Sequence, residues 1–190
     1  MSQKNVVFTG PVCRAENVIR ELRRDTDQLY RLHKTKVSGK LDLKYCVITR
    51  PIEIWNCKFA DEVDLRYCEF KQPVDFSGST FCKTLNSGGE QGSHTVYKKD
   101  FICCEAVFED NASFTGSYFE GSAVFSKAVF CDEERTIDFR LAVFKKMLQC
   151  NGATFEGPAD FRGVQCEGLG QFRRVKLENG GRKLRWGRQG

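Results

Sequence analysis

Ten cysteines and two histidines are the residues of this 190-residue chain with the most chemistry to offer beyond packing. A zinc site wants paired thiolate or imidazole ligands at short spacing. The cysteines stand at 13, 46, 57, 68, 82, 103, 104, 131, 150 and 166 with no C-x-x-C, and the histidines are His33 and His94 alone. Neither set has metal-ligand spacing, so no metal and no cofactor is expected. No nucleophile elbow or dinucleotide fingerprint is present, and the glycine-rich NSGGEQGSH lacks the Lys–Ser/Thr ending of a phosphate loop. The expectation is a protein that is not an enzyme, with no catalytic residues and no small-molecule substrate. The N-terminus MSQKNVVFTGPV has one lysine and a three-residue apolar patch, which is no secretory signal. No apolar run reaches the ~18 residues that span a bilayer, so no transmembrane segment is expected. Without a signal, ten cysteines read as reduced thiols in a cytoplasmic protein.

What must position these residues is a repeat. Large apolar residues from Leu43 onward recur at gaps of 5 and 6: Leu43, Ile48, Ile54, Phe59, Leu65, Phe70, Phe76, Phe81. The series resumes as Phe108, Phe114, Phe119, Phe125, Phe130, and again as Phe139, Phe144, Cys150, Phe155, Phe161, Cys166, Phe172, Leu177. These 21 centres hold 14 of the 16 phenylalanines. Two residues before each centre stands a small or aliphatic residue, and the residue between is usually polar, as in Asp42, Glu53, Asp64, Asp75, Asp138 and Asp160. An in–out–in triplet is β geometry, because alternate side chains point to opposite faces. A triplet every five or six residues leaves no room for long strands and does not fit a helix face. A solenoid of short stacked strands fits. The register places Cys46, Cys57 and Cys68 at the small inward position and Cys150 and Cys166 at centres, where a thiol packs as a small hydrophobe.

Blocks such as VDLRYCEF, VDFSGSTF, ASFTGSYFEGSAVFSKAVF and ATFEGPADFRG resemble pentapeptide-repeat proteins, whose motif is a small residue, a polar residue, Leu or Phe, then two turn residues. The likeness runs from about Leu41 to Phe172. Strict members repeat every five residues; here every second unit has six, as in a Phe-rich subgroup with an 11-residue super-repeat. The resemblance implies an all-β right-handed quadrilateral β-helix, and 21 centres over four faces give about five coils. Some proteins of this kind mimic duplex DNA and bind DNA gyrase or topoisomerase IV. The six-residue units and the lack of an evident C-terminal dimerisation helix depart from that subgroup.

Outside the repeat, residues 14–34 place Ala15, Val18, Ile19, Leu22, Thr26, Leu29, Tyr30 and His33 on one arc at 100° per residue, the pattern of an amphipathic helix capping the first coil. Residues 1–40 are therefore read as an N-terminal capping segment, 41–172 as the β-helix and 173–190 as a basic tail. The tail is a disordered extension, a self-association edge or the cut end of a longer array. Insertions are expected as loops at 82–99 and 131–136, where the register between 82 and 107 stays open. Loops on a rigid scaffold carry binding, so Glu90, His94, Tyr97, Asp132, Glu133 and Glu134 are the candidate contacts to a protein partner. The formal charge of +5 divides as +5 over 1–40, −6 over 41–172 and +6 over 173–190. A nucleic-acid or anionic-membrane surface would therefore meet the basic ends and not the rod. The leading expectation is a non-catalytic protein-interaction scaffold.

Overall fold

The computed structural model describes residues 10–89, 93–131, 137–177 and 184–186, the last three as backbone only. Four parallel sheets of 8, 7, 7 and 6 strands run side by side along one solenoid. In chain order, face 1 begins with Tyr30–His33, face 2 continues from Val12–Arg14 to Lys36–Ser38, face 3 begins with Leu41–Asp42 and face 4 with Val47–Ile48. Each rung pairs with the same face of the next coil: Tyr30 with Ile52, Val37 with Phe59, Leu41 with Val63, Ile48 with Phe70. The architecture is the expected four-sided all-β solenoid, but with about seven turns in place of five.

The longer count has a physical reason at each place where the repeat looked interrupted. Tyr30 and Leu32 take the inward positions of face 1 opposite Ile52 and Ile54, so the coil starts before Leu41. Between 82 and 107 the rungs Leu85–Asn86, Val96–Tyr97 and Phe101–Ile102 all stay in their sheets. The expected 18-residue loop is corrected to an insertion of five residues: face 3 advances 27 residues from Leu85 to Ala112, against 22 from Val63 to Leu85. Phe101 is the inward residue and Ile102 the outward one. The second interruption adds three residues, since Phe130 to Phe155 spans 25.

The alternation of five and six follows from two kinds of corner. Corners leaving faces 1 and 3 put a residue in the left-handed region two places after the centre: Lys34, Tyr45, Asn56, Tyr67, Gly78, Glu105, Gly116, Lys127, Leu141, Gly152 and Gly163 all have φ between 46° and 70°. These turns are closed by bonds such as Cys68 N–H to Leu65 O (3.3 Å) and Ala128 N–H to Phe125 O (3.1 Å). A positive φ at the third residue is the type II arrangement and compresses the corner to five residues. The corners leaving faces 2 and 4 show no positive φ among the described residues other than Gly39, and take six.

The core is a set of ring columns. On face 2, Phe59, Phe81, Phe108, Phe130 and Phe155 stack at 4.8–5.0 Å with nearly parallel rings. Face 4 stacks Phe70, Tyr97, Phe119 and Phe144, and face 3 stacks Phe114, Phe139 and Phe161. On face 1 the two inward positions trade volume. Val74 goes with Phe76, Phe101 with Cys103, Ala123 with Phe125 and Leu148 with Cys150, all of them buried. A cross-section of fixed size needs at least one large apolar side chain per triplet. That constraint explains why Cys103 and Cys150 stand where Phe is usual. Cys57 and Cys68 are likewise buried, Cys46 is half-buried, and Cys166 in the last coils is exposed.

The expected helix over 14–34 is corrected to eight residues, α1 (Ala15–Leu22), which buries Ala15, Val18 and Leu22 and packs against Leu41–Asp42 of face 3. Arg23-Arg24-Asp25-Thr26-Asp27 ends it. Asp and Thr side chains compete with helical backbone bonds, and here Thr26 Oγ1 accepts from Gln28 N–H (3.2 Å) while Thr49 Oγ1 donates to Asp25 (3.1 Å). Tyr30 and His33 therefore lie on a strand, and His33 is exposed. Arg50, buried at 6% exposure, ties α1 to the coil by donating to the Glu21 carbonyl (3.1 Å) over the Tyr30 ring (5.5 Å).

Candidate functional site

Both insertions border face 3. The first leaves the corner between faces 3 and 4 after its third rung, Leu85–Asn86; the second enters face 3 at its fifth rung, Ile137–Asp138. They therefore stand on opposite edges of one sheet, about two rungs or roughly 10 Å apart along the axis.

The outward column of face 3 reads Asp42, Asp64, Asn86, Ser113, Asp138, Asp160. Each of these carboxylates folds onto its own corner. Asp42, Asp64, Asp138 and Asp160 accept the N–H two residues on at 2.9–3.2 Å, as does the Asn86 oxygen from Gly88 (3.0 Å). Arg66, Arg140 and Arg162 then donate a second time, through two guanidinium nitrogens, to Asp64, Asp138 and Asp160 at 2.6–3.0 Å. The two rungs between the insertions carry no such pair: Asn86 faces Gly88, and Ser113 shares a 3.2 Å bond with Thr115. Face 3 is thus an uncharged central strip with the arginine-paired Asp64 on one side of it and the arginine-paired Asp138 and Asp160 on the other. Thr115, Arg140, Leu141, Arg162 and Gly163 line a shallow groove of about 390 Å³ beside it.

Burial alone would raise the carboxyl of Asp64, but its bonds to Arg66 hold it below the usual carboxylate range. Bonding to Arg162 lowers Asp160, against the smaller effect of burial. In both the folded state binds its proton less readily than the unfolded chain. The resulting stability is complete above the ordinary carboxylate value and is lost as pH falls through the lower, folded one. The thermal midpoint is expected to begin dropping below about pH 5 and to keep falling as pH passes below the ordinary carboxylate value. Asp64→Asn should start from a lower midpoint at neutral pH and show a shallower acid slope by calorimetry.

Of the residues singled out from the sequence, Glu90, Asp132, Glu133 and Glu134 lie outside the described residues. His94 is exposed at the first insertion, 6.0 Å from the Tyr118 ring. Tyr97 is corrected: it is not a contact residue but a core ring with 1% exposure, in the Phe column of face 4. Its hydroxyl is explained by Ser87, which takes a centre position that on the other described rungs of face 3 holds Leu or Phe. Ser87 Oγ and Tyr97 Oη share a 2.7 Å bond, and Ser117 Oγ donates to the Ser87 carbonyl (2.6 Å). The phenol fills the space that the serine leaves and satisfies it, and burial pushes its pKa well up. This polar knot sits in the coil that carries the first insertion.

The Asp–Arg pairs escaped the sequence reading, although D-x-R at 64–66, 138–140 and 160–162 and D-x-K at 42–44 were there to be aligned. Among the described residues there is no group of three or more His, Cys, Asp or Glu placed to hold a metal ion. No helix among them is long and apolar enough to cross a membrane. All ten cysteines are free. No family model matches the chain, and no curated protein matches it.

Proposed function

We propose that the chain is a non-catalytic scaffold of the pentapeptide-repeat type, and that a protein partner lies across face 3 between the two insertions. The observation that carries this reading is that two insertions, separate in sequence, border opposite edges of one sheet and bracket its only uncharged rungs among the described residues, Asn86 and Ser113. Neutral polar rungs with charge-paired ends suit a segment whose backbone and short side chains contact the sheet while its rim meets Arg140 and Arg162. The resemblance in the repeat blocks supports the scaffold class, and ten free thiols suit a reducing, cytoplasmic setting.

Duplex mimicry toward a topoisomerase is the weaker reading. It needs rows of uncompensated acid, and Asp64, Asp138 and Asp160 each carry their own arginine.

Affinity capture from the native host tests the proposal. Removing residues 90–94 leaves Leu85–Asn86 and Val96–Tyr97 in register, because it restores the 22-residue advance seen from Val63 to Leu85. The partner captured by the full chain is expected to be lost with Ser113→Lys and with the 90–94 excision, and retained with Thr80→Lys on face 2. Retention by both face 3 variants would reject face 3 as the site.

A further inference from the structure

Two tyrosines on the corner between faces 3 and 4 are placed at a cost. Tyr45 and Tyr67 occupy the left-handed turn position with φ of 60° and 61°, where the same corner uses Gly116 and Gly163 in later coils. A side chain there costs on the order of 1 kcal/mol relative to glycine. The two rings stack on each other at 5.0 Å with 11° between their planes, and Tyr45 remains 72% exposed. The stack is therefore a rigid aromatic step at the N-terminal end of the rod, with Tyr45 as its outermost ring.

Two cations, Arg23 and Lys44, lie at that corner beside the carboxylates of Asp42 and Asp64. Arg23, at the end of α1, reaches the corner by donating to Cys46 Sγ (3.3 Å) and to the Asp42 carbonyl (3.5 Å). Lys44 directly precedes Tyr45, and its own N–H is taken by Asp42. Among the described residues neither Arg23 nor Lys44 has a carboxylate within ion-pair distance, unlike Arg66, Arg140 and Arg162. The segment 1–40 carries +5 and residues 173–190 carry +6, against −6 over the rod between them, so the rod itself repels anions and this step lies at one of the two basic ends.

We propose that Tyr45, stacked on Tyr67 and flanked by Arg23 and Lys44, is a platform for single-stranded nucleic acid, one base stacking on Tyr45 and the adjoining phosphates meeting the two cations. An exposed aromatic face tolerates any base, and unpaired cations beside it hold the backbone; together these are the requirements of sequence-independent single-strand binding. A duplex hides its base faces and would bring a second phosphate row against the acidic rod. The acidic rod also limits the site to a few nucleotides. This inference is independent of the face 3 scaffold, whose central rungs lie beyond the tyrosine step.

Anisotropy of a labelled oligothymidine of roughly eight nucleotides at about 50 mM salt tests it. Saturable binding is expected, weakened about tenfold or more by Tyr45→Gly. Because glycine relieves the turn, the thermal midpoint of that variant should stay within a few degrees of the parent, which separates lost binding from lost folding. Lys44→Gln should make the slope of log affinity against log salt shallower by about 0.7. No anisotropy change at about 100 μM protein would overturn the proposal. So would equal binding by Tyr45→Gly, which would place affinity on the basic termini, or equal competition by a duplex or a polyglutamate peptide.

Discussion

Phe114→Ala is expected to lower stability by about 3–5 kcal/mol. Phe114 is wholly buried at the centre of the rod, stacked on Phe139 (5.1 Å) and edge-on to Phe125 (5.2 Å). Its partner in the triplet is Ala112, so nothing nearby can swing into the vacated volume. Denaturant unfolding should report the loss as a shift in midpoint at constant slope. The volume rule seen on face 1 supplies a second arm. Ala112→Leu added to Phe114→Ala copies the Leu85–Ser87 and Leu148–Cys150 arrangement and should recover part of the loss. A double variant no better than the single one would contradict size trading within a triplet. Phe172→Ala, at a half-buried position in the last coils, should cost much less.

Gly121→Ala should be as damaging through the backbone. A Cβ at 121 would lie 2.3 Å from the Lys99 carbonyl carbon and 2.6 Å from the Asp100 nitrogen. No rotamer relieves a clash with main chain, so the corner must refold or the rungs must part. A loss of roughly 3 kcal/mol or more would lower the thermal midpoint by about 10 °C in a chain of this size. Gly152→Ala is the control. There the nearest atom is Lys127 Cγ at 3.4 Å, an ordinary contact with a flexible side chain and not with backbone, and the remaining cost is the positive φ of 70°. Equal effects at the two positions would mean that turn conformation, and not inter-coil approach, decides which corners need glycine.

The class of fold was legible because one physical signal repeats: at least one large apolar side chain, most often a Phe ring, faces inward at every triplet. Where the signal faded, the volume was still conserved but differently shared. Phe101–Cys103 and Leu85–Ser87 put the large residue first, and a search for Phe at the centre alone passed over both. With no Phe at their centres, the rungs Leu85–Asn86 and Val96–Tyr97 look like loop and Tyr97 like a surface residue. At the N-terminus Tyr30 and His33 fit a helical arc, while Tyr30 and Leu32 fit strand alternation. Pairing with Ile52–Trp55, a contact distant in sequence, decided for the strand. The shared border of the two insertions was not legible at all, since it depends on which of four faces each corner leaves, and that emerges only once the coil is closed.

The claim that face 3 is the presented side is tested most directly by photo-crosslinking in the native host, with a reactive amino acid at one outward position per face. Ser113 on face 3, Tyr118 on face 4, Val124 on face 1 and Val129 on face 2 all lie in adjoining rungs of the central coils. A single protein adduct at 113, absent or much weaker at the other three and lost when residues 90–94 are removed, is the predicted result. An adduct concentrated at 124 or 129, or equal at all four positions, would contradict it.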